Sequence, residues 1–320
     1  MTEPGASSRT SEDHPAPTRR GVHDRLMRLS PVHDNGFRPE RTLRLPVEFV
    51  RQLRRRRTQL TVLVLLVLPV IIALAFKVSS GTGSTGATSQ GGSGRAGGSG
   101  LVTLATTGAT NFALFTEFAS AGFLLVVIVA LFCGDTVASE ASWASLRYLL
   151  AIPVPRSRLL RQKLIVALSL SFGANLLLPV WSYVVGGVFF GWAPGQSPLG
   201  GTFTTGAALQ RLLIVVCYAS IQSLLVAALA FLLSVLTDAP LGAVGGATML
   251  VVVSNILDSI TSLDPYRRFL PTHFQYSWLD ALGQNIVWDD MMRGTGLVLV
   301  YSAAFFALAW WRFQEKDILS

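Results

Sequence analysis

The sequence predicts an all-α integral membrane protein with six transmembrane helices, an amphipathic N-terminal helix and a cytoplasmic coupling helix. Of its 320 residues, 51% are hydrophobic and only 14% are charged, a balance typical of membrane proteins. Several separate segments also approach the roughly 20 apolar residues that a helix needs to cross the hydrocarbon core. Basic residues are concentrated in some of the connecting segments, as expected for a multi-pass protein of the cell (plasma) membrane.

The N-terminal part divides into two predicted regions. Residues 1–40 are rich in Pro, Ser, Thr, Arg and Asp, and are predicted to form a disordered cytoplasmic tail because they have few aliphatic side chains to bury. Residues 41–58 contain "PVEFVRQLRRRR", which predicts an amphipathic helix with valines near one face and arginines on the other. Such a helix lies along the membrane surface. The alternative is that Arg54–Arg57 only flank the first span.

The six-span membrane domain is predicted to occupy residues 59–320. Its apolar windows are, in order, 60–76, 112–133, 164–190, 212–236, 240–257 and 296–311. The third window is long enough to require a tilted helix or an interfacial end. Between the first two windows, residues 79–100 are rich in glycine and serine, and this composition predicts a flexible outer loop.

The basic residues predict the orientation of the domain. Of 26 Lys and Arg, 13 precede Thr58, five lie between Arg147 and Lys163, and two follow the last span. Because short cytoplasmic loops accumulate Lys and Arg, both termini are predicted to be cytoplasmic. The net charge of +8 is then an orientation signal with some attraction to anionic membrane lipid, and nucleic-acid binding is not predicted.

The sequence lacks the motifs of several enzyme classes. No His-Glu-x-x-His zinc motif, Gly-x-Ser-x-Gly elbow or phosphate-binding loop occurs in it. The four histidines are scattered, and the two cysteines lie inside predicted spans, so neither a metal site nor a disulfide framework is predicted. No catalytic residue, cofactor or metal is assigned.

Four polar residues inside the predicted spans are candidates for a translocation path: Glu117, Asn175, Gln222 and Asp258. An ionisable side chain in hydrocarbon costs on the order of 2.5 kcal/mol or more, so such residues tend to serve a function. Glu117 and Asp258 lie near outer ends of spans, whereas Asn175 and Gln222 lie deeper. The alternative for the two carboxylates is that they only reach water at the outer edge.

The segment 135–163 is predicted to couple the membrane domain to a soluble partner. Leu146, Leu149 and Leu150 fall on one face of a short helix that ends before Pro153. A surface helix between two spans offers a binding surface to a cytoplasmic protein. The predicted docking residues are Glu140, Ser145, Leu146, Arg147 and Leu150.

This segment resembles the permease (membrane) subunit of ATP-binding-cassette transporters of the type-two export class. In that family an acidic residue is followed by Gly-Thr-Leu-Arg, two leucines, a proline and a basic run ending in Lys. The corresponding residues here are Glu140, "ASLRYLL", Pro153 and a run to Lys163, with Ala144 and Ser145 in place of the usual Gly and Thr. The C-terminal "WWRFQEKDILS" is also similar to the family's ending.

The resemblance implies a function and a set of partners. It implies a permease subunit that pairs with a second permease subunit, as a homodimer or heterodimer, and docks two copies of an ATP-binding ATPase subunit. ATP-driven closure would then move the spans and export a substrate, which the sequence does not identify. Two alternatives remain open: an integral-membrane enzyme acting on lipid or a lipid-linked substrate, and a membrane anchor that recruits partners without transport.

Overall fold

The structure, a computed structural model, describes residues 45–81, 96–142, 156–198 and 200–315. Within these ranges the regular elements are helices, and the only β pairing is an isolated bridge between Gln196 and Thr202. This confirms the predicted all-α class. The α-helices are α1 (Leu45–Leu53), α2 (Arg56–Gly81), α3 (Ala96–Leu104), α4 (Ala109–Ala121), α5 (Leu124–Ser142), α6 (Arg156–Phe190), α7 (Thr205–Leu236), α8 (Pro240–Ser259) and α9 (Asp289–Glu315).

Five of these helices, α2, α6, α7, α8 and α9, are long and apolar enough to cross a membrane. Helices α4 and α5 pass the same test only together, and they are bent by 59° where they meet. The described part of the chain therefore has five candidate spans, or six if the bent pair is one span. The segment 112–133, predicted as one continuous second span, lies within this bent pair.

Helix α7 lies at the centre and packs against α4, α5, α6, α8 and α9. Its sequence is rich in Leu and Ala, which favour helix formation, and it has apolar residues on all sides. The buried share of the most apolar window is 50% in α7 but only 22% in each of α2, α8 and α9. The other three helices expose surface that would face lipid or another subunit.

One end of the bundle, called here the basic end, carries α1 and the arginines that precede α2. The carboxylate of Asp135 on α5 accepts hydrogen bonds from Arg55 and Arg57 at 3.4 and 2.6 Å. Ser234 near the end of α7 accepts from two backbone amides of α5 at 3.1 and 2.9 Å. Phe313 of α9 belongs to the same apolar cluster as neighbouring residues of α5, α6 and α7. The start of α2 and the end of α9 therefore lie at the same end.

Helix α1 at the basic end is amphipathic. Its Val47 and Val50 are 64% and 46% exposed, while Glu48 accepts from Arg51 at 2.8 Å and from Gln52 at 3.2 Å. The helix ends at Leu53, within the predicted amphipathic region. Its exposed valines present an apolar face of the kind that binds at a membrane surface.

The opposite end, called the capped end, is closed by residues 260–288, the capping segment. This segment contains the 3₁₀ helices Thr261–Leu263, Tyr266–Phe269 and Ser277–Leu282. Trp278 and Leu282 are each only 1% exposed, so the segment is packed into the bundle. At the same end Gly191, with φ +86°, ends α6, and its carbonyl accepts from the first amide of α4 at 3.0 Å.

Candidate functional site: a central cavity

A cavity lies at the centre of the bundle, beneath the capping segment. Its volume is about 50 Å³, enough for a few water molecules at about 10–15 Å³ each. Helices α4 to α8 form its wall, and the capping segment forms its roof. The lining residues are Ala121, Leu125, Val126, Val129, Asn175, Ala219, Gln222, Ser223, Leu225, Val226, Val251, Pro271, Thr272, Gln275 and Trp278. None of these side chains is charged.

Two of the four predicted path residues, Asn175 and Gln222, meet in this cavity. Asn175 is 1% exposed, and its Nδ2 donates to Ser223 Oγ at 3.0 Å and to the Ser171 carbonyl at 3.1 Å. Gln222 is 9% exposed, and its Nε2 has no hydrogen-bond partner among the described residues. An unpaired buried donor costs about 1–3 kcal/mol, and this atom lies beside α9, where a Cβ on Gly294 would be 3.2 Å from it.

The roof of the cavity is tied to the surrounding helices. Gln275 Nε2 donates to the Ala121 carbonyl at the end of α4, at 2.8 Å. The hydroxyls of Thr272 and Ser254 on α8 are 2.8 Å apart. Tyr276 packs on an aromatic ring of α4 with 5.2 Å between ring centres, and burial raises the pKa of its phenol above the ordinary value. The capping segment is thus held over the bend between α4 and α5.

Glu117 lies in α4 but does not line the cavity. It is 0% exposed, and neither carboxyl oxygen has a hydrogen-bond partner in the described part of the chain. The hydroxyls of Ser120 and Ser182 are also buried and without a hydrogen-bond partner there. The alternative in which Glu117 reaches water at the outer edge does not hold in this conformation.

Asp258, the fourth path candidate, lies at the surface of the capped end, away from the cavity. Its carboxylate is hydrogen-bonded to His273 Nδ1, and its backbone carbonyl accepts from Arg267 at 3.2 Å. Arg267 also pairs with Asp264 at 3.2 Å. Asp258 therefore ties the end of α8 to the capping segment. Within the described ranges no group of three or more His, Cys, Asp or Glu side chains is placed to hold a metal ion.

The predicted docking residues fall at the edge of the described ranges. Glu140 lies in the last turns of α5, which continues to Ser142. The other four, Ser145, Leu146, Arg147 and Leu150, lie in 143–155, outside the described residues. Docking through these residues stays a prediction.

Arg211 has a structural role that sequence reasoning missed. It is 9% exposed near the start of α7, and its guanidinium donates to the carbonyls of Ala281, Gly283 and Gln284. It also lies 3.9 Å from the centre of the Phe203 ring. A single arginine at the start of a long apolar run was the available signal, because a buried guanidinium needs several acceptors.

The helices and the cavity define a class: an all-α protein with five or six helical segments that could cross a membrane. Residues 101–319 match a family described as "Protein of unknown function (DUF2705)". Because the match covers more than half of the chain, the protein belongs to this family. None of the curated proteins compared with the chain matches it. The matched region runs from α3 to beyond α9 and so includes every residue that lines the central cavity.

Proposed function

We propose that this protein is the membrane-spanning permease subunit of an ATP-driven exporter, which forms the translocation path and couples to a separate ATPase subunit. The observation that carries the proposal is the central cavity, walled by helices that could cross a membrane and roofed by the capping segment. Binding sites for small molecules are mostly apolar with a few placed polar groups. Asn175 and Gln222 supply such groups at the middle of the bundle.

The basic end suits the docking of an ATPase. Asp135 of α5 and Lys163 of α6 line one small pocket there, so the segment that joins these helices starts and finishes at this end. That segment contains the stretch that resembles the docking helix of exporter permeases. The concentration of Lys and Arg at this end favours a cytoplasmic location for it, on the side where an ATP-binding subunit would be.

The proposal requires further subunits. Two copies of the ATPase and a second permease subunit, identical or different, complete the exporter in the plasma membrane. The exposed apolar surfaces of α2, α8 and α9 provide area for lipid and for that second permease subunit. Opening a path to the outside would require the capping segment to move.

The decisive experiment measures binding of the ATPase subunit. The full chain in lipid nanodiscs should show no ATPase activity above background when it is alone. The amount of an ATP-binding-cassette ATPase subunit retained in a pull-down should fall at least tenfold when Glu140→Arg and Arg147→Glu are both present, because charges near the apolar contact of the docking helix are reversed.

A matched control exchanges a charge pair at the same end of the molecule. Glu48→Arg with Arg51→Glu inverts the 2.8 Å pair of α1 outside the docking segment, and should leave ATPase retention unchanged. Full retention with both double variants would contradict the proposal. Retention that falls equally in both would point to general disruption of the basic end and would also contradict it.

A second candidate function has one specific observation in its favour. The imidazole of His273 is hydrogen-bonded to the Asp258 carboxylate, and a carboxylate-oriented histidine is an arrangement used for general-base catalysis. The protein would then be an integral-membrane enzyme acting on lipid at the capped end. His273→Gln should abolish lipid turnover if this is correct, and should leave ATPase binding unchanged if the protein is a permease. An anchor without transport would bind a partner but move no substrate in reconstituted vesicles.

A further inference from the structure

A second opening lies on the outside of the bundle, between α6 and α7, and is called here the side groove. It has a volume of about 380 Å³. Phe172 on its rim is 55% exposed and Cys217 is exposed, so the groove is open to the surroundings. Its lining residues include Phe172, Cys217, Ser220, Ser223, Leu224 and Ala227.

The position of the side groove indicates what would occupy it. Phe172 lies near the middle of α6, which spans Arg156–Phe190, and Ser220 lies near the middle of α7, which spans Thr205–Leu236. Both helices are long and apolar enough to cross a membrane. In a bilayer the groove would therefore face the hydrocarbon core, where the available occupant is an apolar chain.

Only a thin wall separates the side groove from the central cavity. Ser223 lines both spaces. Asn175 lines the cavity, and its amide donates to Ser223 Oγ at 3.0 Å and to the carbonyl of Ser171, which lines the groove, at 3.1 Å. The Asn175–Ser223 contact therefore lies between the two spaces.

The chemistry of the two spaces selects an uncharged ligand. No charged side chain lines either of them, and an unpaired charge in such surroundings carries a large desolvation cost. Gln222 lines the cavity, and its Nε2, which has no hydrogen-bond partner among the described residues, is buried beside Gly294 of α9. Turning this side chain away from Gly294 would present an unpaired donor to a ligand in the cavity. The complementary group on a ligand is a neutral oxygen acceptor.

We infer that the side groove and the central cavity form one binding site for a neutral amphiphile that enters from the bilayer. The hydrocarbon chain lies in the groove, and an uncharged oxygen-bearing head passes the Asn175–Ser223 contact to reach Gln222. This inference rests on the proposed function, for which it names the substrate class. Its test requires only binding, so the two ideas can fail separately.

The test uses a monoacylglycerol that carries a photoreactive diazirine on its chain. The full-length protein, in phosphatidylcholine nanodiscs without any ATPase, is irradiated with this probe, and the cross-linked peptides are identified by mass spectrometry. Cross-links should concentrate on α6 near Phe172 and on α7 near Ser220. Unlabelled monooleoylglycerol should compete with them, and a probe with the same chain but a phosphate head should bind at least fivefold less.

Three variants locate the site. Ser220→Leu and Cys217→Trp fill the groove, and Gln222→Leu removes the amide, so each should lower competable cross-linking at least fivefold. Gly245→Leu adds a large apolar side chain to α8 at a position with open space around it, and should leave cross-linking unchanged. Thermal unfolding of each variant shows whether it folds, and the exposed position of Cys217 makes Cys217→Trp the variant least able to disturb the core.

Two outcomes would overturn the inference. Cross-links spread over α2, α8 and α9 without competition would show ordinary contact with bulk lipid. Equal or stronger binding of the phosphate-headed probe would show that the site does not select neutral ligands. Neither outcome depends on whether an ATPase subunit binds the basic end.

Discussion

Glu117 is the residue whose surroundings fit its chemistry least. It is fully buried in α4, and neither carboxyl oxygen has a hydrogen-bond partner in the described part of the chain. Buried polar groups normally find partners, and a side chain that breaks this rule at a helix bend is a candidate for a functional role. If the protein is the proposed permease, partners for this carboxyl group would form in another conformation of its transport cycle.

This interpretation predicts a separation of stability from function. Glu117→Met removes two unpaired oxygens at similar volume, so the free energy of unfolding should stay unchanged or rise by about 1 kcal/mol. Transport in reconstituted vesicles should fall. Phe112→Ala on the same helix, at a fully buried position, should cost about 3–5 kcal/mol and shows that the unfolding assay is sensitive. A clear loss of stability in Glu117→Met would mean that the carboxyl group is already satisfied.

Arg211 illustrates the opposite case, a buried charge whose donors are used. Its guanidinium donates to three carbonyls at the end of the last 3₁₀ helix of the capping segment. Arg211→Met should therefore lower the free energy of unfolding by about 2–4 kcal/mol, because the carbonyls lose their donors. Hydrogen exchange should increase in residues 277–284.

Two further variants test whether the effect of Arg211→Met comes from its buried guanidinium. Arg211→Lys should be intermediate, since one ammonium cannot reproduce the planar set of donors. Arg293→Met, at a side chain that is 71% exposed, should have little effect. If Arg211→Met left hydrogen exchange in the capping segment unchanged, the proposed anchoring role would be wrong.

At the scale of whole elements, the spans were predictable and their bends were not. Runs of about 20 apolar residues are a local signal of a span, and helices occur at each of the six apolar windows. The break between α4 and α5 depends instead on a contact distant in sequence. A Cβ on Gly122 would lie 2.7 Å from the hydroxyl of Tyr276. The capping segment can therefore pack closely on the break because residue 122 has no side chain.

The candidate site likewise has some features that could be predicted from the sequence and others that could not. Asn175 and Gln222 were predictable because polar residues deep in apolar runs are few. The placement of Asp258 outside the cavity could not be predicted from the sequence, because it follows from pairing with His273 and Arg267 in the folded capping segment. The aromatic composition of that segment is equally typical of a membrane interface and of a packed cap, and only the burial of Trp278 separates the two.

The junction between α9, α7 and the capping segment depends on a glycine. A Cβ on Gly294 would lie 2.5 Å from Phe274 Cβ and 2.6 Å from the Tyr218 hydroxyl. Gly294→Ala should therefore destabilise the protein by about 1–3 kcal/mol, because neighbouring groups must move. Thermal unfolding of the purified variant measures the effect.

Gly296, on the same helix, is the matched control because a Cβ there would meet no atom within 4 Å. Gly296→Ala should be neutral or stabilising by up to about 1 kcal/mol, since alanine has the higher helix propensity. Equal effects of the two substitutions would show that helix propensity, and not close packing, governs this junction.

At the scale of the whole molecule, the contacts determine how the bent pair should be counted. Helix α4 begins at the capped end, where its first amide bonds to Gly191. Helix α5 ends at the basic end beside Arg57 and Ser234. The pair thus connects the two ends of the bundle, as a single broken span does, whereas a re-entrant loop would return to the end from which it started. Counted as one span, the pair brings the candidate crossings to six, and an even number of crossings is what the predicted topology with both termini in the cytoplasm requires.

Cysteine labelling from outside sealed cells tests this topology. In a background with Cys133→Ala and Cys217→Ala, an impermeant thiol reagent should label cysteines placed at Ser89 and at Val287, which is 50% exposed in the capping segment. It should not label cysteines at Ser157 or Glu315 until the cells are permeabilised. The Ser157 position is decisive because a re-entrant α4–α5 pair would put the start of α6 outside. Labelling there in sealed cells would reduce the count to five spans and separate the docking segment from a cytoplasmic ATPase.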